Sequence, residues 1–216
     1  IDKETHDGRQ YLHWAASAGN KEIVKTLLER GAKPSVLDSK GATPLNFAAG
    51  ASQKNIEIYA LLIKAGVNLK KELSTDGANA LLLAVGNDMD LSITDFFIKN
   101  GLSILSTDKE GNTAFDYAAR GGNIDIMKAL LKRGVKFTNN AIVMASQGGR
   151  RGWNKLPVYE YLVSVGINPS YVNISGTNVL HNLVRRGNQL EEIKYFIQKG
   201  TNFNQVDKQG FTPLMY

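Results

Sequence analysis

One pattern of about two dozen residues recurs along this 216-residue chain, and such self-similarity restricts the fold more than any composition value. Gly8 to Gly31 reads GRQYLHWAASAGNKEIVKTLLERG and Gly111 to Gly134 reads GNTAFDYAARGGNIDIMKALLKRG. Further copies run from Gly41 to Gly66, Gly77 to Gly101 and Gly176 to Gly200. The clearest copies carry a glycine, a helix start, an Ala-Ala pair, a Gly/Asn break, a second apolar stripe and a closing glycine. A unit this short cannot bury its own apolar faces, so it has to stack on its neighbours.

Position by position, the unit predicts two short helices after a tight turn. Asp38, Asp108 and Asp207 stand three residues before Gly41, Gly111 and Gly210, a spacing that suits an aspartate-capped turn closed by a glycine with positive φ. Thr43-Pro44 and Thr212-Pro213 then open an inner helix, with a capping hydroxyl and a proline at the first helical position. The Ala-Ala pairs let neighbouring helices approach closely. Gly19-Asn20 and Gly122-Asn123 break the chain into an outer helix whose stripe is Ile23, Val24, Leu27 and Leu28, repeated as Ile126, Met127, Leu130 and Leu131. Gly31, Gly66, Gly101, Gly134, Gly166 and Gly200 are expected to end the outer helices as left-handed caps.

On these motifs the chain resembles the ankyrin repeat family along essentially its whole length. The resemblance implies an all-α, ankyrin-repeat solenoid of stacked helix pairs with short β-hairpin or turn loops. The family's ~33-residue period implies about six repeats plus a truncated seventh. The chain is read as a single ankyrin repeat domain, 1–216, with repeats near 5–37, 38–73, 74–107, 108–137, 138–172, 173–206 and a partial 207–216. Both ends fall inside a repeat, so the sequence reads as a window on a longer array. It is also similar to ankyrin proteins that flavobacteria encode behind an export signal, which implies a periplasmic or extracellular location. Without that likeness a cytoplasmic one is expected.

The fifth repeat departs from the pattern. VKFTNNAIVMASQGG, which follows Gly134, lacks the Asp-x-x-Gly turn and the Thr-Pro start, so its hairpin is shortened or absent. The loop SQGGRRGWNKLP between its helices carries about five extra residues, and insertions of this kind commonly serve partner contacts.

The sequence contains none of the GxGxxG, P-loop, HExxH or GxSxG motifs, and with no cysteine it offers no thiol nucleophile or thiolate site. No catalytic residue, metal site, cofactor or small-molecule substrate is expected. Polar N-terminal residues and the lack of a long apolar run predict no membrane insertion. His13 and His181 are expected to bond an adjacent hairpin backbone, and His6 to be exposed. Asn87, Asp88, Asp90 and Asp95 lack the glycine and glutamate of a calcium loop and are expected to be a solvated loop. Asn173-Ile174-Ser175 matches a glycosylation sequon by pattern only. In the family pattern the shared position of Trp14, Phe47 and Tyr117 lies in the core between inner helices.

Charge is the more informative map. Residues 109–166 hold nine basic and four acidic residues, net +5, against +6 for the whole chain. The family pattern turns the hairpin tips and the ends of the inner helices toward a groove. Arg120, Arg185 and Arg186 lie at inner-helix ends, Arg150, Arg151 and Trp153 on the inserted loop, and Lys40, Lys109, Glu110 and Asn112 at tips. Packed helices lie ~8–10 Å apart, so these arginines are expected to form a strip roughly 20 Å long. Guanidinium groups pair bidentately with carboxylates and phosphates. The reading is therefore a non-enzymatic, monomeric protein-protein interaction scaffold that binds an acidic protein partner through its concave groove. Nucleic-acid or anionic-polymer binding by the basic surface of repeats four to six is the alternative, disfavoured because exposed aromatics are not interleaved with the basic residues. A targeting arm of a larger enzyme or effector is the other.

Overall fold

The computed structural model describes residues 3–149 and 152–216. The described residues form twelve α-helices and a closing 3-10 turn, Pro213–Met215, with no strand among them. The chain divides into two compact units, Ile1–Gly111 and Asn112–Tyr216. The first holds three helix pairs: α1 (Tyr11–Ala18) with α2 (Lys21–Glu29), α3 (Pro44–Gly50) with α4 (Ile56–Lys64), and α5 (Ala80–Val85) with α6 (Ser92–Lys99). The second holds α7 (Ala114–Gly121) with α8 (Ile124–Lys132), α9 (Ala141–Gln147) with α10 (Leu156–Ser164), and α11 (Val179–Leu183) with α12 (Leu190–Gln198). This is the all-α architecture of an ankyrin-repeat solenoid.

Within each unit the inner helices stack in order, α1 on α3 on α5 and α7 on α9 on α11, and outer helices pack beside them. The small pairs permit this closeness: Ala48, Ala49, Ala118 and Ala119 are all buried. Leu45, Leu81, Phe115 and Leu180 fill the space between layers, each such side chain contributing about 1.5–3 kcal/mol by leaving water. Most of the outer stripe is used in α8, where Ile126, Met127 and Leu130 are buried and Leu131 is half-buried. In α2 only Val24 is, and Ile23 remains 49% exposed.

Local chemistry fixes the ends of the helices. Thr43 Oγ1 accepts from the Asn46 amide, Asn20 Oδ1 from Ile23 and Asn123 Oδ1 from Asp125 and Ile126, satisfying amides that a helix start leaves open. The closing glycines Gly31, Gly66, Gly101, Gly134, Gly166 and Gly200 all have positive φ. The aspartate turns form as the spacing predicts. Asp38 Oδ1 accepts from the amides of Lys40 and Ala42, and Asp207 Oδ1 from those of Gln209 and Phe211. Burial opposes the Asp38 carboxylate, but those amides and the Arg9 guanidinium outweigh it and hold its pKa below the usual range.

In α1, α3, α7 and α11 a side chain near the helix start fastens that repeat to the next. His13 Nδ1 accepts from the Gln10 amide and Nε2 donates to Ala42 O at 3.0 Å. His181 repeats the arrangement with Asn178 and Phe211 O, and Asn46 Nδ2 donates to Glu72 O. Where the fifth repeat lacks its hairpin, the partner is an amide instead of a carbonyl, and the side chain is an acceptor: Asp116 Oδ1 takes the Thr138 amide at 2.9 Å. Its Oδ2 takes the Thr113 amide at 2.8 Å. Burial pushes the Asp116 carboxyl up to about 6, against these hydrogen bonds.

Candidate interaction surface

The loop between α9 and α10, residues 148–155, organises the basic face of the second unit. Gly148 leaves α9 at φ 69° and ψ 172°, a combination that only glycine adopts readily. Gly149 and Gly152 pair with each other, the Gly149 amide donating to Gly152 O at 3.0 Å and the Gly152 amide to Gly149 O at 3.1 Å. The expected partner residues Arg150 and Arg151 lie outside the described residues. Asn154 is buried and ties the loop down, its Nδ2 donating to Ala119 O, Arg120 O and Ala145 O at 3.0, 3.3 and 2.9 Å. Beside it, Trp153 is 41% exposed. Its ring lies so close to Gly148 that a Cβ there would stand 2.3 Å from Cε3.

Three arginines surround this loop and the end of the chain. Arg120, at the end of α7, donates from Nε to Gly148 O at 3.2 Å. Arg186, just beyond α11, lays its guanidinium over the Trp153 ring at 3.9 Å, and Arg185 lies over Tyr216 at 4.8 Å. Tyr216 in turn donates its hydroxyl to Asp207, an interaction that raises the phenol pKa and lowers that of the carboxyl. Among the described residues, none of these three arginines has a carboxylate within ion-pair distance. Arg9 in the first unit differs, being paired with Asp7 and Asp38 at 2.8 and 3.0 Å.

The remaining tip residues divide. Lys40 and Glu110 are exposed, and exposed Lys109 sends its Nζ to Thr75 O at 2.8 Å. Asn112 is corrected: it is 5% exposed and its Oδ1 accepts from Asn140 Nδ2 at 2.7 Å, so it fastens α9 and faces no partner. Lys40, Lys109 and Glu110 belong to the first unit and the arginines to the second.

Two other expectations change. The shared aromatic position is not core throughout, since Trp14 is 45% exposed and stands edge-on to half-buried Phe47 at 5.5 Å, with the Arg9 guanidinium over both rings. Asp88 is not solvated. It is buried and accepts from the Thr94 amide and hydroxyl at 2.9 and 2.8 Å, serving the start of α6 where Leu91 has no capping side chain. Asn173 uses its Oδ1 on Ser175, Thr177 and the Thr177 hydroxyl as another turn cap. No cluster of three or more potential metal ligands occurs among the described residues, and no helix is long and apolar enough to cross a membrane.

Asn154 and Tyr216 escaped the sequence reading. Asn154 has a structural counterpart in Gln53 of the second repeat, which donates to Ala16 O and Ser17 O, the carbonyls that correspond to those of Ala119 and Arg120. Tyr216 had no such precedent.

Comparison with known proteins agrees with this architecture. A family model described as ankyrin repeats (3 copies) matches residues 1–72 and 49–141. The chain belongs to the ankyrin repeat family, whose repeats are a non-catalytic protein-protein interaction module. It is 34% identical over 127 residues to a palmitoyltransferase of Lachancea kluyveri, covering 58% of this chain and 17% of that protein. It is 31% identical over 125 residues to a transient receptor potential cation channel subfamily A member 1 homolog of Caenorhabditis elegans, 58% of this chain and 10% of that one. A putative ankyrin repeat protein of Acanthamoeba polyphaga mimivirus is 26% identical over 191 residues, 84% of this chain and 24% of the viral protein. The chain thus spans a quarter or less of the length of each of these relatives.

Proposed function

We propose that the 216 residues act without catalysis, as a monomer, and bind an acidic segment of a protein partner through the basic face of the second unit. The observation that carries this reading is the set of Arg120, Arg185 and Arg186, exposed and without a carboxylate in reach. A protein surface normally tolerates such groups in water, but two set against one tryptophan-bearing loop and a third over Tyr216 suit the composition of interface hot spots, which favour tryptophan, tyrosine and arginine. Guanidinium edges left open by their ring and carbonyl contacts are free to pair with carboxylates. The export reading rests on the flavobacterial likeness alone, the relatives above being eukaryotic and viral.

Partner capture with Arg120→Glu and Arg185→Glu combined tests the proposal. Charge reversal at two contacts is expected to weaken a captured partner at least tenfold while the melting curve holds. An unchanged affinity in the folded double variant refutes the assignment of this face.

A further inference from the structure

We propose that a cavity of about 420 Å³ between the starts of α10 and α12 is a socket for an arginine side chain of a protein partner. The proposal goes beyond the acidic segment read above and does not depend on it. The cavity lies wholly within the second unit. Leu156, Pro157 and Leu190 supply its apolar wall, and Glu191 and Glu192 stand together in the first turn of α12. Acidic residues suit a helix start, so their presence alone points to no ligand. The burial of one of them does. Glu192 lines the cavity and is 2% exposed, yet among the described residues none donates to its carboxylate and no cation pairs with it.

The donors around this acid are engaged elsewhere. Lys155 Nζ goes to Asn188 O at 2.8 Å, Gln189 Nε2 to the same carbonyl at 3.3 Å, and the Tyr159 hydroxyl to Ala145 O at 3.5 Å. Burial, and after it the charge of Glu192, push the Tyr159 phenol pKa up. Gln189 is buried as well, and its Oε1 has no donor. In the first unit Asp88 shows the opposite case, a buried acid near a helix start that is satisfied by the Thr94 amide and hydroxyl. A carboxylate taken out of water without a donor is costly until a cation joins it. The side chain that fits here has an apolar stem for the leucine and proline wall and a cationic head for Glu192, with Glu191 beside it. Arginine meets both needs, because guanidinium holds a carboxylate through two parallel N–H bonds and sheds its water more readily than an ammonium group. Lys155, also at the cavity, carries the same charge as this ligand and opposes it.

The test uses the whole chain and fluorescein-labelled Gly/Ser peptides with a single central arginine, lysine or citrulline, read by anisotropy at low salt. The arginine peptide is expected to bind saturably, the lysine peptide more weakly, and the citrulline peptide, which keeps the shape without the charge, not measurably. Glu192→Gln is expected to weaken the arginine peptide about tenfold, the effect of losing one charge-assisted pair. Its melting temperature should hold or rise, because a buried charge without a donor has been removed. Lys155→Gln keeps a donor for Asn188 O, removes the competing charge and is expected to tighten binding at least twofold. The socket is refuted if the wild type does not bind the arginine peptide, if the citrulline peptide binds as well, or if folded Glu192→Gln binds like the wild type. A lower melting temperature in Glu192→Gln also overturns it, since the fold itself would then be using the carboxylate. Weaker binding in Lys155→Gln reverses the sign of the site, and lysine binding as tightly as arginine overturns the guanidinium assignment.

Discussion

The second and fifth repeats solve the same joining problem with different lengths of chain. In both, the loop from inner to outer helix sends one side-chain amide back to the last carbonyls of the preceding inner helix, Gln53 to Ala16 and Ser17, Asn154 to Ala119 and Arg120. The first loop needs residues 51–55 for this and the second takes residues 148–155. In each case the clamp ties the end of the loop back to the preceding repeat. It does not explain the greater length of the second loop, which carries Trp153 and two further arginines. The longer loop is also where the contacts to Arg120 and Arg186 are made, through Gly148 O and the Trp153 ring.

The largest effect that separates the two loops is expected at the glycines beneath the clamps. Gly122 has φ 73° and a Cβ there would stand 1.9 Å from Asn154 Oδ1, whereas a Cβ on Gly19 would meet the flexible end of Gln53 at 2.7 Å. Gly122→Ala thus combines left-handed strain with expulsion of the clamp and should cost about 3 kcal/mol, against about 1–2 kcal/mol for Gly19→Ala. Thermal or urea unfolding measures both. Equal losses would mean that Asn154 moves aside as easily as Gln53 and that the second loop is less firmly set than its contacts indicate.

Removing the clamps themselves comes next. Asn154→Ala leaves three carbonyls, two of them in fully buried bonds, and should cost about 2 kcal/mol, while Gln53→Ala, whose bonds are partly buried, should cost about 1 kcal/mol. Reversal of that order in chemical denaturation would contradict the burial difference.

The two units should also differ in sign when acidified. His13 in the first unit is buried, which lowers its pKa, so the folded unit binds a proton less readily than the unfolded chain and loses stability as pH falls below about 6.5. Asp116 in the second is raised to about 6, so its folded form holds a proton more tightly and the unit gains about 1 kcal/mol between pH 7 and 5, the gain vanishing as pH rises through 6. Hydrogen exchange resolved by residue should show the opposite trends. Asp116→Asn should abolish the gain in the second unit, and a gain that survives in that variant would assign the effect to another group.

How much of this was legible in the sequence depends on whether a feature repeats. Closing glycines, asparagine and threonine caps and aspartate turns follow from local spacing, because each is a backbone requirement met by a nearby side chain, whereas the bonds of His13 and His181 to a carbonyl of the next hairpin follow from their position in the family pattern. The exposure of Trp14 and Ile23 was not legible, since a periodic stripe says which face of a helix is apolar but not whether a neighbouring helix covers it. Asp88 was misread because two acids in a polar loop look solvated until Thr94 is seen to donate to one of them. Within the candidate site, the charge surplus and the loop length were visible, and Asn112 was assigned to the surface because its place in the turn was counted without its bond from Asn140. Which ring each arginine lies against depends on contacts across 33 and 31 residues of chain, between Trp153 and Arg186 and between Arg185 and Tyr216, and no local pattern encodes them.

The smallest effect is the one that best distinguishes support of the fold from support of the arginines. Trp153 and Asn154 are adjacent, yet only Asn154 is buried, and the Trp153 ring is half in solvent with a cation over it. An exposed cation–π contact is worth about 0.5–1 kcal/mol, so Trp153→Ala should lower stability by no more than that, at most half the loss at Asn154. A loss as large as that of Asn154→Ala would make Trp153 a packing residue, and the extra chain of the fifth loop would then have a structural reason. With a small loss and a mobile Arg186, the two neighbouring side chains divide the work, one holding the loop to the helices and the other holding an arginine from the next repeat above it.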